Sequence, residues 1–582
     1  MSEQRLAAGA MMVSPAKPRG SSPRWEYLIL GGGVVALLVL IVLPLASLLK
    51  SSFISDVGVG LANFYEVLTE PLYYNALFNS LQLGFWVGVL SVLIGVPFAW
   101  AVSRTNVPGK RFIHMTAIIS YLSPAFLTAI AYVNMFSPNS GLINVFMRDV
   151  LHLPFLTFNV FSMSGLVLVT TLGTFPFVYL LASSALQSVD ASYEEAAQIL
   201  GSGRLRTALT ITLPLVTPAI VAGTLLAFVH AIALFGSQAI IGLPARIPTL
   251  PTRIYSLFDY PPQNGVASAL SLVFVLITVA ALYLQRQFLA RRSFVTLGGK
   301  GSRPQLVDLG PARWFLLAFC VLVFLISVLL PFATLIAVSF SKTWGLNFWS
   351  GLTLANYKYV LIDYAITRKA IVNSLILATV AATVTVFIGA IVSWIDLRTK
   401  FPGRRILDYI ALVPLGLPGI VMAVALLQFW LSTPIPLYGT MAILLLAYVG
   451  RYVPLGVRAA STSLRQIDSS LEESARILGA PWVTTAREIT LPLMRPGLFA
   501  GWLLVFVPVI QELSASILLF SSDTITLAVA VYNLFESGYT EPVAALAVVN
   551  MVIIGAAIWL ATKLGGGRLG KANIESPKVG AA

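Results

Sequence analysis

Charge is scarce in this sequence. Asp, Glu, Lys and Arg make up 10% of its 582 residues, apolar types make up 58%, and the mean hydropathy is +0.87. Soluble domains carry about 25% charged residues, so a chain of this size with so little charge requires a bilayer. Cysteine is nearly absent. Cys320 is the only one and lies in an apolar run, which excludes a disulfide framework and a cysteine metal site. The only histidines are His114, His152 and His230, with neither paired ligand spacing nor a nucleophile constellation beside them. This argues against a membrane-embedded enzyme. The net charge is +14, but the basic residues stand in short loops beside apolar runs. The positive-inside rule accounts for that distribution without a nucleic-acid partner.

What the chain has in abundance is long apolar runs such as "YLILGGGVVALLVLIVLPLASLL" from Tyr27. Runs of about 20 residues span a bilayer as helices and are too long for the alternating strands of a membrane barrel. The expected fold is all-α, with twelve spans at 27–49, 76–102, 113–136, 161–186, 214–236, 265–285, 314–340, 370–395, 408–431, 440–463, 495–520 and 543–563. A polar stretch with Arg5, Lys17, Arg19 and Arg24 precedes the first span, and no cleavable signal peptide is expected. Basic residues then recur on one side: Arg104, Lys110 and Arg111; Arg204 and Arg206; Arg286, Arg291 and Arg292; Arg398, Lys400, Arg404 and Arg405. The opposite-side segments 51–75 and 521–540 hold no Lys or Arg, although 341–369 breaks the trend with four. Both termini are expected in the cytoplasm.

The two halves are copies. "NSLQLGFWVGVLSVLIGVPFAWAVSRTNVPGKR" from Asn79 aligns with "NSLILATVAATVTVFIGAIVSWIDLRTKFPGRR" from Asn373, and Asn79, Gly95, Trp100, Arg104, Pro108 and Pro124 each find their own type 294 positions on. Beyond that the offset falls to 278, and the loss is placed in the loop near Thr433–Tyr438. Six spans per copy give parallel repeats with a pseudo-twofold axis along the membrane normal. The expected organisation is a cytoplasmic tail at 1–26, a first repeat at 27–285, a cytoplasmic linker at 286–313, a second repeat at 314–564 and a cytoplasmic tail at 565–582.

Each copy carries a polar segment: "EEAAQILGSGRLRTALTITLPL" from Glu194 and "EESARILGAPWVTTAREITLPL" from Glu472. A capping box is expected before each, Ser192-x-x-Glu195 and Ser470-x-x-Glu473. Gly201 and Gly479 are placed to end the short helix in a left-handed turn. Small residues, Ala196 and Ala197 in one copy and Ser474 and Ala475 in the other, permit close approach of another surface.

This pattern (E-A-A, three residues, G, nine residues, I-x-L-P) resembles the signature of ATP-binding-cassette importer permeases. Glu195 to Pro214 matches at every defined position, and Glu473 to Pro492 departs only at Ser474. The resemblance implies that the segment is a coupling helix seated in a groove of a cytoplasmic ATPase subunit. Ser192, Glu195, Ala196, Ala197 and Gly201, with Ser470, Glu473, Ser474, Ala475 and Gly479, would form the two coupling sites. It further implies two ATPase copies using ATP and Mg, an extracytoplasmic substrate-binding protein and a place in the bacterial cytoplasmic membrane. The chain has no G-x-x-x-x-G-K-[ST] phosphate loop, so it is expected to bind no cofactor and to perform no hydrolysis itself.

Ionisable residues inside spans cost roughly 2.5–3.5 kcal/mol each on insertion scales and mark pathway positions. Glu512 stands where the first repeat has Leu234, and His230 and Arg451 also lie within spans. Glu512 is read as a pathway or gating group, against a structural hydrogen bond or pairing with Arg451; His230 as an interhelical hydrogen-bonding residue or a pathway group; and Arg451 as half of a structural ion pair or a pathway group. The fused twelve-span form most resembles ferric-iron permeases, and polyamine, 2-aminoethylphosphonate and thiamine permeases remain alternatives. An ion-coupled secondary transporter is the competing class, but it leaves both capped motifs without a role.

Overall fold

The computed structural model describes residues 24–56, 58–290 and 306–564. The expected C-terminal tail, nearly all of the N-terminal tail and linker residues 291–305 lie outside them. The elements used below are α1 (Tyr27–Ser52), α2 (Pro71–Arg104), α3 (Lys110–Leu122), α4 (Ala125–Phe136), α5 (Met163–Ser188), α6 (Ala191–Ile199), α7 (Ala208–Ala233), α8 (Leu250–Ser256) and α9 (Asn264–Leu289). The second half supplies α10 (Ala312–Phe340), α11 (Ala365–Arg398), α12 (Arg404–Gly416), α13 (Gly419–Leu431), α14 (Met441–Arg465), α15 (Ser469–Ile477), α16 (Trp482–Ile510), α17 (Leu527–Glu536) and α18 (Thr540–Leu560). Among the described residues the one β-sheet is a two-stranded hairpin, Ile54–Ser55 against Gly58–Val59.

Ten of these helices are long and apolar enough to cross a membrane. The expected third and ninth spans are not single helices. Each breaks into a pair, α3 with α4 at 96° and α12 with α13 at 115°. Pro124 and Pro418 cause the breaks: proline has no N–H to donate and pushes the residue before it out of the helical region. Ser123 is accordingly extended at φ −74°, ψ 126°, and Leu417 at φ −98°, ψ 117°. The expected span at 495–520 is also interrupted. Its helix ends at Ile510, residues 511–515 are unwound, and a single turn follows at Ser516–Leu519. The shorter length of the second copy falls between α13 and α14, where residues 432–440 replace the longer stretch 137–162.

Helices α2 and α11 hold each repeat together, α2 against α5 and α11 against α14. The glycine shared at the 294 offset explains the close approach. A Cβ on Gly95 would lie 2.9 Å from the Tyr179 nitrogen, and one on Gly389 would lie 2.3 Å from the Gly456 carbonyl carbon. Close backbone contact at small residues is how helices pack in lipid, where burial of apolar area between helices gains little. Both α2 and α11 have 34 residues, about 51 Å at 1.5 Å per residue, against a hydrocarbon core of about 30 Å. Their C-terminal turns therefore reach past the core and deliver Arg104 and Arg398 to the coupling segments. The linker re-enters beside Arg104: Val307 donates to the Arg104 carbonyl at 2.8 Å, and Thr105 and Val307 form a parallel bridge.

Candidate functional site: two coupling helices and an axial cavity

The short helices α6 and α15 carry the doubled motif, and their caps differ from the expected boxes. Asp190 and Asp468 are the N-caps, accepting the backbone N–H of Ser192 at 2.9 Å and of Ser470 at 3.0 Å. Ser192 and Ser470 are second-position helical residues and do not cap. Because an aspartate already starts each helix two residues earlier, Glu195 and Glu473 lie two residues past the position from which a side chain reaches back. The hydrogen bond from the Ser470 backbone holds the Asp468 carboxyl below the usual carboxylate range. At the other end Gly201 (φ 83°) and Gly479 (φ 86°) adopt the left-handed turn. Ser202 donates to Ala197 and Gly201 to Gln198, and Ala480 donates to Ala475 and Gly479 to Arg476, each at 2.9–3.0 Å. This paired bonding is a Schellman end.

The two consecutive glutamates of each motif point to different surroundings. Glu195 and Glu473 are exposed, as are Ser192, Ala196, Gly201, Ser470, Ser474 and Gly479, while Ala197 and Ala475 are buried. Glu194 and Glu472 are buried at 6% exposure each. Glu194 accepts the Thr212 hydroxyl at 2.7 Å and pairs with Arg104 at 3.5 Å; Glu472 accepts Thr490 at 2.9 Å and pairs with Arg398 at 3.2 Å. Arg104 also donates to the Val189 carbonyl at 2.8 Å and Arg398 to the Ile467 carbonyl at 2.7 Å. Thr212 and Thr490 occupy the undefined position of I-x-L-P. Each triad thus ties the short motif helix to the end of a long span and to the start of the next.

Sequence reasoning placed Arg104 and Arg398 among loop charges and left Glu194 and Glu472 without a role. The signal was there: all six triad residues recur at the repeat offsets. It also left out the tips of the two helices. Ile199 and Leu200 are 86% and 87% exposed, and Ile477 and Leu478 are 86% and 87% exposed. Two large apolar side chains this exposed outside the spans mark a contact surface for another protein.

Far along the bundle a cavity of about 160 Å³ lies between the repeats. Equivalent positions from both copies line it: Gly173 with Arg451, His230 with Pro508, and Leu234 with Glu512. Such pairing puts the cavity on the pseudo-twofold axis. The sequence-singled residues His230, Arg451 and Glu512 are therefore neighbours in one site. Glu512, 5% exposed, lies in the unwound stretch after α16. Its Oε1 accepts Arg451 Nη1 at 2.8 Å and the Ala515 N–H at 3.0 Å, and its Oε2 accepts the Tyr452 hydroxyl at 2.7 Å. His230 packs on the Phe177 ring at 4.9 Å, and its buried Nδ1 has no hydrogen-bond partner among the described residues.

Bulky side chains pack closely beside the cavity, in a closure. Phe235 and Leu513, equivalent residues of the two copies, are buried there. Phe235 sits between Tyr255 of α8 at 5.3 Å and Tyr532 of α17 at 6.0 Å. Gly236 leaves no space either, since a Cβ there would lie 2.6 Å from Phe126 Cβ. Gln511 donates to the Leu122 carbonyl at 3.0 Å and joins this closure across the repeats. Among the described residues no group of three His, Cys, Asp or Glu is arranged to hold a metal ion.

Two repeats, a short helix with an exposed apolar tip in each and a cavity between them are the architecture of this chain. The profile described as "Binding-protein-dependent transport system inner membrane component" matches residues 91–294 and 385–565, and the chain belongs to this family. It is similar to the putative ferric transport system permease protein FbpB 1 of Haemophilus influenzae, with 28% identity over 505 residues, 84% of this chain and 77% of that one. The ferric transport system permease protein FbpB of Actinobacillus pleuropneumoniae is 26% identical over 518 residues, 87% of this chain and 73% of that one. The molybdenum transport system permease protein ModB of Escherichia coli is 30% identical over 230 residues, 39% of this chain and 97% of that one.

Proposed function

We propose that this chain carries ferric ion from an extracytoplasmic binding protein to the cytoplasm, driven by two copies of a partner ATPase that consumes ATP and Mg. The observation that supports the cargo is coverage: the ferric permeases align along both repeats, whereas the molybdenum permease aligns over 39% of the chain. A symmetric ATPase dimer offers two equivalent grooves, and α6 with α15 present two equivalent apolar tips. Ile199–Leu200 and Ile477–Leu478 enter those grooves, Glu195 and Glu473 lie on their polar margins, and the buried triads pass movement to α2, α7, α11 and α16. Closure of the ATPase dimer draws the coupling helices together and opens the far end of the cavity, a two-state change biased by nucleotide.

The test is reconstitution of the chain with its ATPase and binding protein in liposomes, followed by uptake of radio-iron, spermidine, 2-aminoethylphosphonate, thiamine and molybdate. ATP-dependent uptake of iron alone is expected. Uptake of an organic solute or molybdate instead would overturn the cargo and leave the coupling mechanism in place. Uptake that follows a proton or sodium gradient and ignores ATP would overturn both.

A further inference from the structure

The repeat provides an internal control for the axial ion pair. The three ion pairs shielded from solvent among the described residues are Arg104–Glu194, Arg398–Glu472 and Arg451–Glu512. The first two are copies of one another. The third has no copy: Gly173 and Leu234 stand where Arg451 and Glu512 stand, and Thr174 stands where Tyr452 does. The first half builds the same helices without this trio, so the fold does not need it. Physical chemistry agrees, because a buried ion pair is often no more stabilising than apolar residues of similar volume.

Space has been made for the pair. Arg451 Nη1 lies only 1.5 Å from where a Cβ on Gly419 would sit, at the start of α13. The equivalent of Gly419 in the first half is Ala125, opposite a glycine whose own Cβ would meet nothing within 4 Å. The arginine therefore lies where any side chain at position 419 would clash with it.

The groups around it form a donor set. A carboxylate, a phenol and an imidazole line the one cavity. Hard cations take oxygen ligands, imidazole serves iron among other metals, and tyrosinate is an established iron ligand. Two of the donors are already 2.7 Å apart, Tyr452 Oη to Glu512 Oε2, and the third, His230, has a nitrogen without a hydrogen-bond partner. The positive charge now held by Glu512 is Arg451 itself.

We propose that Glu512, Tyr452 and His230 are a transit site for a hard, highly charged cation, and that Arg451 is a resident counter-charge which the cargo displaces. This rests on the cation reading above. The incoming ion takes the Glu512 carboxylate from the guanidinium, and Tyr452 releases its phenol proton to solvent as its oxygen coordinates. No bond is oxidised or reduced. Glu512 belongs to the unwound segment that also carries Leu513 of the closure, so exchange of its partner acts on the element that shuts the cavity.

The experiment titrates the purified complex with ferric citrate and follows the visible absorption of a phenolate–iron charge-transfer band, with radio-iron uptake measured in parallel. Wild type is expected to show the band. Tyr452→Phe, which removes one hydroxyl, is expected to lose it; Glu512→Gln weakens ferric binding at least tenfold. Arg451→Gln is expected to tighten ferric binding about tenfold by removing the competitor, a change that a purely structural pair would not produce. Thermal unfolding of each variant separates loss of binding from loss of fold. Iron uptake with no band, or with full rates in Tyr452→Phe and Glu512→Gln, overturns the site alone. Absence of iron uptake by wild type overturns the cargo assignment and this site with it. Binding of phosphate that needs Arg451, in place of ferric ion, overturns it in favour of an anion.

Discussion

The coupling ends and the axial cavity of this molecule obey opposite rules. At the coupling ends every residue that matters is duplicated: the aspartate cap, the left-handed glycine, the buried glutamate with its arginine and threonine, and the exposed apolar tip. In the cavity the charged residues occur once, and their counterparts are a glycine and a leucine. The difference follows from what each region meets. Under the proposed function, a surface that met two identical partner subunits would gain from being made twice. A cavity on the axis encloses one cargo, and a single off-axis set of donors suffices to hold it.

Erasing the asymmetry is expected to have the largest effect on transport. Replacing Arg451, Tyr452 and Glu512 together by their first-repeat counterparts (Arg451→Gly, Tyr452→Thr, Glu512→Leu) should leave a folded protein, since the first repeat builds the same helices with those residues. Uptake is expected to fall more than a hundredfold while the unfolding temperature changes little. A collapse of the fold would instead make the trio a structural element.

Breaking the symmetric struts one at a time comes next. Arg104→Leu or Arg398→Leu leaves a buried glutamate without its cation, at a cost of about 3–5 kcal/mol. Thermal unfolding should show similar losses for the two variants. A much larger loss for Arg104→Leu would show that the linker strand docked at Thr105 and Val307 gives the first unit an added role.

The apolar tips should affect assembly more than stability. Ile199→Ser with Leu200→Ser, or Ile477→Ser with Leu478→Ser, is expected to weaken capture of the ATPase by about tenfold for either pair and to abolish it for both. Co-purification measures this. Glu195→Ala with Glu473→Ala should weaken assembly less while leaving the fold unchanged.

The smallest effect concerns the Asp468 cap. Its carboxyl is held below the usual range, so the stability it lends is present above the unfolded value of about 3.9 and is lost as pH falls through the lower folded value. Hydrogen exchange in α15 should accelerate over that acidic interval. Asp468→Asn should remove the pH dependence while keeping the cap.

Much of this protein was legible before any coordinates. The duplication, the motif spacing, the left-handed glycines and the apolar spans are local or periodic features, and they read directly. Pro124 and Pro418 were visible as a repeated pair, yet the bends of 96° and 115° they produce were not, because hydropathy averages across a break. The motif directed attention to Glu195 and Glu473. Successive helical residues are turned about 100° from each other, so which of two adjacent glutamates is buried depends on where the helix rests.

Scarcity of charge and internal repetition were enough to establish a helical membrane protein built of two repeats, because each is a property of the chain by itself; the permease reading came from the resemblance of the doubled motif. The tertiary structure alone decided which polar groups meet. Arg104 finds Glu194 across 90 positions, Arg451 finds Glu512 across 61, and His230 joins the same cavity from the other repeat. A polar side chain buried in the protein must find its partner there, and helix packing determines which ones lie within reach.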